Sequence, residues 1–210
     1  MRGGLLLVFI FASKIAWAQA PEDRLLRAID EGKQVVAEGI VARGGVKLDA
    51  RNGKSETPLH LAIEKAYRPL VQMLLKAGAP VGARTANGET PLHYAALHED
   101  TWYVEELVAA RADTRARNDD GESVLQWAVM SGNAKTALYL LQRGADAKVA
   151  DLKGNTLLHA CADGGYLEMA QAMVSLGVDP RQRNRAGQRP LDIARERGYA
   201  ELVKYLEKFQ

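Results

Sequence analysis

A six-residue pattern returns every 33 residues along this chain, and it restricts the fold more than any other feature of the sequence. Each copy has Leu in third place and ends on Ala or Cys, and four of the five copies begin with Thr or Ser. The copies start at Thr57, Thr90, Ser123, Thr156 and Arg189. Because no residue is inserted between copies, the pattern predicts a stack of small equivalent units rather than one globular core.

Each unit carries the signals of two short helices. The Thr or Ser that starts the pattern is a favourable N-cap, and the Pro that follows in three copies suits the first helical position. The copy at Thr57 predicts a first helix over 58–65 and a second over 69–77, where apolar residues recur at helical spacing. Gly78 then follows, and its position predicts a left-handed residue at the helix end. Arg111 replaces that glycine in one unit, at an expected strain of about 1 kcal/mol.

The repeated hexapeptide resembles the T-P-L-H-x-A signature of the ankyrin repeat. Turn pairs between the units, such as Asn87-Gly88 and Asp120-Gly121, fit the projecting two-stranded fingers of that family. The resemblance implies an all-α fold, an ankyrin-repeat solenoid of stacked helix-turn-helix units with short β-hairpin fingers. It also implies contact with another protein through the finger tips and the faces of the first helices.

The domain boundaries follow from where the pattern weakens. Residues 22–53 keep the apolar spacing of a unit without its polar signature, which predicts an N-terminal capping unit. Repeats start at 57, 90, 123 and 156, and a closing unit with a polar outer face begins at 189. The ankyrin-repeat domain is therefore predicted to cover 19–210.

Residues 1–18 have the features of a secretory signal peptide. Arg2 precedes an apolar run over 5–12, and Ala16-Trp17-Ala18 has the small-x-small form of a cleavage site. The run is shorter than the roughly 20 residues of a membrane span, so no membrane insertion is expected after cleavage. We expect a mature protein of the bacterial periplasm or a secreted one. The alternative is an uncleaved N-terminal anchor.

The charge balance argues against a nucleic-acid partner. The chain has 28 basic and 26 acidic residues, and removal of 1–18 takes away Arg2 and Lys14 but no acidic residue, which leaves 26 of each. A net charge near zero is a poor match for bulk binding of nucleic acid or of an anionic membrane.

The sequence predicts neither a metal site nor a catalytic site. His60, His93 and His159 occupy one position in different units, but adjacent helices pack about 8–10 Å apart, whereas zinc ligands lie about 2 Å from the metal. The family resemblance implies instead that this His hydrogen-bonds backbone between repeats. Phosphate-binding and nucleophile motifs are missing from the sequence. The lone Cys161 replaces the Ala of the other copies and is predicted to be buried.

An apolar cluster is the first candidate binding surface. Leu97 and Met130 occupy equivalent places in adjacent units, where the resemblance implies polar and variable residues. Tyr94 and Trp127 stand at the fifth signature position of the same two repeats. Trp102 is at the start of the second helix in the repeat that contains Tyr94. An exposed apolar and aromatic cluster rimmed by charge is typical of a protein-contact surface. The alternative is that Tyr94 and Trp127 simply cover neighbouring helices.

A column of arginines on the predicted fingers is the second candidate. Arg51, Arg84 and Arg117 lie six residues before their signatures, and Arg183 continues the column after Ala150. They form either a basic ladder for an acidic partner or a solvated edge, since basic residues are common at this place in the family.

These observations predict a monomeric, non-catalytic module without a cofactor that binds another protein through its concave face and fingers. An immunity or inhibitor protein that neutralises a toxic enzyme and an envelope assembly scaffold are alternatives within this class. An enzyme or a small-ligand-binding protein is the alternative from a different class, and the missing chemical motifs argue against it.

Overall fold

The computed structural model describes residues 20–210, which form two compact units, one ending at Pro80 and the other covering Val81–Gln210. The predicted signal peptide lies outside the described residues. The helices are, in chain order, α1 (Pro21–Asp30), α2 (Gln34–Arg43), α3 (Pro58–Glu64), α4 (Arg68–Lys76), α5 (Pro91–Ala96), α6 (Trp102–Ala109), α7 (Val124–Met130), α8 (Ala134–Gln142), α9 (Leu157–Gly164), α10 (Leu167–Ser175), α11 (Pro190–Arg197) and α12 (Ala200–Leu206), followed by a 3₁₀ turn (Glu207–Phe209).

The first unit contains two helix pairs. Helices α1 and α2 pack together as the predicted capping pair, and α3 packs with α4 in the same way. The two pairs then stack, α1 against α3 and α2 against α4. Leu25 and Ile29 of α1 are fully buried, as are Leu59 and Ile63 of α3, so the apolar spacing shared by the two segments forms one continuous core.

The second unit contains four helix pairs in which the first helices form a row. Helix α7 packs against α5 and α9, and α9 packs against α11. Each first helix also packs against the second helix of its own pair. The leucines in third place of the signature, Leu92, Leu125, Leu158 and Leu191, are all buried in this unit.

The signature residues start each first helix through a reciprocal cap. At α5 the backbone N–H of Thr90 donates to His93 Nδ1 at 3.1 Å, and the Thr90 hydroxyl lies 2.9 Å from the same nitrogen. At α7 the Ser123 hydroxyl accepts from the backbone N–H of Gln126, whose side-chain oxygen accepts from the Ser123 N–H. These bonds satisfy backbone donors that a helix start leaves unpaired, which confirms the predicted N-caps.

The helix ends also behave as predicted. Gly78, Gly144 and Gly177 have φ of 82°, 90° and 83°, and Arg111 adopts φ 67° in the equivalent place. A residue with a side chain is strained in this left-handed region, whereas glycine is not. Arg111 is therefore strained at a position where the other repeats have glycine.

The fingers are simpler than the predicted hairpins. In the second unit the backbone N–H of Thr85 donates to Glu89 O at 2.9 Å and that of Asn118 to Glu122 O at 3.0 Å, which closes a tight turn. Strand pairing among residues 20–210 is limited to two isolated antiparallel bridges, Arg117 with Ser123 and Ala150 with Thr156. None of the helices within 20–210 is long and apolar enough to cross a membrane.

Candidate functional site

The buried histidines join one repeat to the next. His93 Nδ1 accepts from a backbone N–H, so the neutral ring carries its proton on Nε2, which lies 3.3 Å from Glu122 O in the following repeat. His159 Nε2 lies 3.0 Å from Gln188 O, and Gln126 makes the equivalent bond to Asn155 O at 3.0 Å. These contacts confirm the backbone-bridging role, and no group of residues within 20–210 has the arrangement of a metal site.

Tyr94 and Trp127 form a stacked pair on adjacent first helices. Their ring centroids are 6.4 Å apart with an interplanar angle of 25°, and both side chains are half-buried. Trp127 Nε1 donates to Glu122 Oε2 at 2.8 Å, and Tyr94 OH donates to Glu89 Oε2 at 3.4 Å. Each aromatic side chain therefore donates to a carboxylate of its own finger, and this bond connects the finger to the first helix that follows it. The two rings also pack against each other across adjacent first helices.

Leu97 and Met130 are exposed at the ends of two neighbouring first helices. Leu97 caps α5 with 51% of its surface exposed, and Met130 ends α7 with 53% exposed. The polar residues at equivalent places, Glu64, Asp163 and Glu196, are also exposed. The fold therefore has no need of apolar side chains at this position.

Trp102 belongs to a different cluster from the stacked pair. It opens α6 half-buried, and its ring meets Tyr103 edge-on with centroids 5.0 Å apart. Tyr103 in turn lies 4.7 Å from the His98 ring. The five apolar candidates thus divide into the Tyr94–Trp127 pair, the two exposed helix ends, and a tryptophan packed on its own helix.

A groove of about 710 Å³ opens between the fingers and first helices of the last three repeats. Met130 lines it, and so does Leu152, which lies at a finger tip with 53% of its surface exposed. Sequence reasoning missed Leu152, although a signal was present. The equivalent finger positions hold Gly53, Ala86, Asp119 and Arg185, so Leu is the only large apolar residue in that column.

The finger arginines reach the backbone of neighbouring segments. Arg84 donates to Arg117 O at 2.9 Å and to Asp119 Oδ1 at 2.9 Å, and Arg117 donates to Ala150 O at 3.0 Å. Arg51, in the first unit, donates to Ser55 O within its own finger at 2.9 Å. Arg84 and Arg117 therefore each link one finger to the next, which a merely solvated edge would not do.

Cys161 is fully buried on α9, as its place in the Ala column predicts. Burial raises the pKa of its thiol to about 12, because a thiolate would lose its hydration there. A thiol that stays protonated at neutral pH is a poor nucleophile and a poor metal ligand.

Stacked helix pairs, backbone-bridging histidines and a groove lined by both apolar and polar side chains define a repeat protein of the binding type. The family model of ankyrin repeats matches three overlapping stretches, residues 25–118, 59–151 and 125–208. The chain therefore belongs to the ankyrin-repeat family, whose repeats are protein–protein interaction modules.

The chain also resembles a solved structure over most of its length. It is similar to the crystal structure of the ankyrin repeat domain of Bcl-3, described as a unique member of the IkappaB protein family. The identity is 30%, the TM-score is 0.73, and the similarity covers 90% of this chain and 87% of that chain. The sequence has no significant match among curated proteins.

Proposed function

We propose that this protein is a non-catalytic module that binds another protein through the first-helix and finger surface of its second unit. The observation that carries the proposal is the exposure of Leu97 and Met130 at equivalent ends of α5 and α7. Exposed apolar side chains rimmed by charge are typical of contact surfaces. Burial by a partner removes about 25 cal/mol of unfavourable free energy for each Å² of apolar surface covered.

Replacing Leu97 and Met130 together by Ser tests the proposal. The thermal midpoint should stay nearly unchanged, because the fold places polar residues at the same position in other repeats. Affinity for the partner should fall about thirtyfold or more, as expected for the loss of a binding hot spot. The partner is first isolated by pull-down, and its affinity is then measured by isothermal titration calorimetry.

Leu138→Ser is the matched control. Leu138 is 58% exposed on α8, a second helix, so the change removes similar apolar surface away from the proposed contact. A double variant that unfolds would show that the two side chains belong to the core. A double variant that stays folded and binds as well as the control would move the contact surface elsewhere, first to the arginine fingers.

The finger arginines are proposed to act mainly on the rate of association. Rim charges steer encounter and make it salt-dependent, whereas buried contacts control dissociation. Replacing Arg84 and Arg117 by Gln should slow association and flatten its dependence on ionic strength. An unchanged salt dependence in stopped-flow measurements would leave these arginines with a purely structural role.

The proposed place of action is the cell envelope. The support is the signal-peptide pattern of residues 1–18, with cleavage after Ala18. The mature protein from the native host should begin at Gln19, which N-terminal sequencing or intact mass determines. A mature chain that retains Met1 would contradict cleavage and favour the anchored alternative.

A further inference from the structure

A single small residue breaks a row of large ones on the first helices of the second unit. The fifth signature position holds Tyr94, Trp127, Ala160 and Ile193 in successive repeats. Helix α9, which carries Ala160, packs between α7 and α11, and Ala160 lines the groove. Its methyl group fills less of the groove than a large side chain would, and we call this place the notch. Met130, Ala160 and Ile193 line the groove from the helix side and Leu152 lines it from the finger side.

The carboxylates that line this groove are already engaged within the chain. Glu122 accepts from Trp127 Nε1 and from the Asn118 side chain, both at 2.8 Å. Asp151 accepts from the Asn155 side chain at 3.0 Å and from the Lys153 backbone N–H at 2.9 Å.

Asp163, the acidic residue at the helix end, forms an ion pair with Arg197 at 2.5 Å. Each of these three acidic residues thus accepts from a donor within the chain, and among them Asp163 has its charge balanced by an ion pair.

The cations of the groove are not engaged in this way. Lys153 and Arg185 are exposed at neighbouring finger tips, and the Arg185 backbone N–H donates to Lys153 O at 2.8 Å, which holds the two tips side by side. Within residues 20–210 neither side chain forms an ion pair or a hydrogen bond. Lys153 and Arg185 are therefore the charged lining side chains whose hydrogen-bond donors are left to a ligand.

We infer that the groove binds a segment of a partner protein that places one bulky apolar side chain over Ala160 and acidic side chains against Lys153 and Arg185. This inference rests on the proposed function and names the partner chemistry. The apolar side chains that line the groove favour an apolar anchor residue, and the two cations without internal partners favour acidic side chains beside it. A nucleic acid would satisfy the cations but would leave the Met130, Leu152 and Ile193 surface uncovered.

The test uses a displayed library of random peptides selected on the protein covering 19–210. Enriched peptides should share a bulky apolar residue with Asp or Glu close to it. A synthetic peptide of the enriched sequence, labelled for fluorescence anisotropy, then measures affinity. Ala160→Trp should weaken binding about thirtyfold or more by filling the notch. The neighbouring repeat carries Trp127 in this place.

Ala160→Leu is the second variant. Leu61 occupies the equivalent position in the first unit, and Leu is smaller than Trp, so this variant keeps the test valid if Ala160→Trp fails to fold. Lys153→Glu with Arg185→Glu should reduce affinity at least tenfold and remove most of its salt dependence. Lys135→Glu, on the second helix α8, is the matched control for a change of charge outside the groove.

Three results would overturn the inference. They are a library without enrichment, enriched peptides that are basic or lack an apolar residue, and binding that is indifferent to both Ala160 variants. Tight binding of a single-stranded oligonucleotide that depends on Lys153 and Arg185 would overturn the inference by showing that the ligand of the groove is a nucleic acid rather than a protein segment. If the isolated partner still depends on Leu97 and Met130 but ignores the Ala160 variants, the proposed function stands and only the groove assignment fails.

Discussion

Leu125→Ala tests whether side-chain packing between repeats is the main stabilising force in the second unit. Leu125 is fully buried on α7, which packs against α5, α8 and α9. A buried Leu→Ala change costs about 2–5 kcal/mol, and the cost rises where the surroundings cannot collapse into the cavity. With helices on three sides of α7, we expect the upper half of that range, about 3.5–5 kcal/mol.

Leu206→Ala is the matched comparison. Leu206 is also buried, with 2% of its surface exposed, but it lies on the final helix α12. No further repeat follows this helix within 20–210, so the end of the stack can relax or fray around the cavity. We expect the lower part of the same range, about 2–3 kcal/mol.

Urea unfolding followed by circular dichroism distinguishes the two variants. With an m value of about 2 kcal/mol/M, Leu125→Ala should lower the midpoint by about 2 M and Leu206→Ala by about 1 M. A domain of this kind has a total stability of about 5–15 kcal/mol, so the central change removes a large share of it. Equal midpoint shifts, or a larger shift for Leu206→Ala, would refute the argument that central repeats are held from both sides.

Three further outcomes are expected. Cys161 should react with thiol reagents only on unfolding. Burial raises its pKa to about 12, so the unfolded chain loses the thiol proton at a lower pH than the folded chain. Between about pH 9 and 12 the free energy of unfolding should therefore fall by about 1.4 kcal/mol per pH unit relative to Cys161→Ala. Equal slopes for the two proteins would contradict this. Burial lowers the pKa of His159, so the neutral ring stabilises the fold above about pH 6.5, and this stabilisation is lost as the pH falls through the lowered pKa. His159→Gln places here the residue type that Gln126 has one repeat earlier. In urea titrations this variant should lose less stability than the unchanged protein as the pH falls below about 6.5. Arg84→Ala should cost less than about 1 kcal/mol in the same titration, because its ion pair with Asp119 is about half exposed, and a cost near that of Leu125→Ala would show that the fingers contribute as much as the core.

The repeat architecture was predictable because its signals are local and are written several times. The 33-residue period, the Thr and Ser caps, and the glycine after each second helix depend on contacts within a few residues of one another. Agreement among the copies separates the signal from chance. The burial of Cys161 was predictable for the same reason, since the other copies place Ala in its position.

The interpretation of the charged and aromatic candidates required the tertiary structure. A column of arginines has the same spacing whether the side chains point to solvent or donate to the next finger, and only the 2.9 Å bond from Arg84 to Arg117 O distinguishes the two. Trp102 and Trp127 likewise differ in their contacts, one packed on Tyr103 and the other held by Glu122.

By itself the sequence determined the fold class, the number and phase of the repeats, and the capping of the helices, because short-range hydrogen bonding and apolar periodicity specify these features. Only the tertiary structure decided which charged side chains have hydrogen-bond or ion-pair partners within the chain and where a groove remains exposed. The notch over Ala160 and the uncommitted Lys153 and Arg185 depend on side chains about one repeat apart in sequence, whose contacts exist only once the helices have stacked.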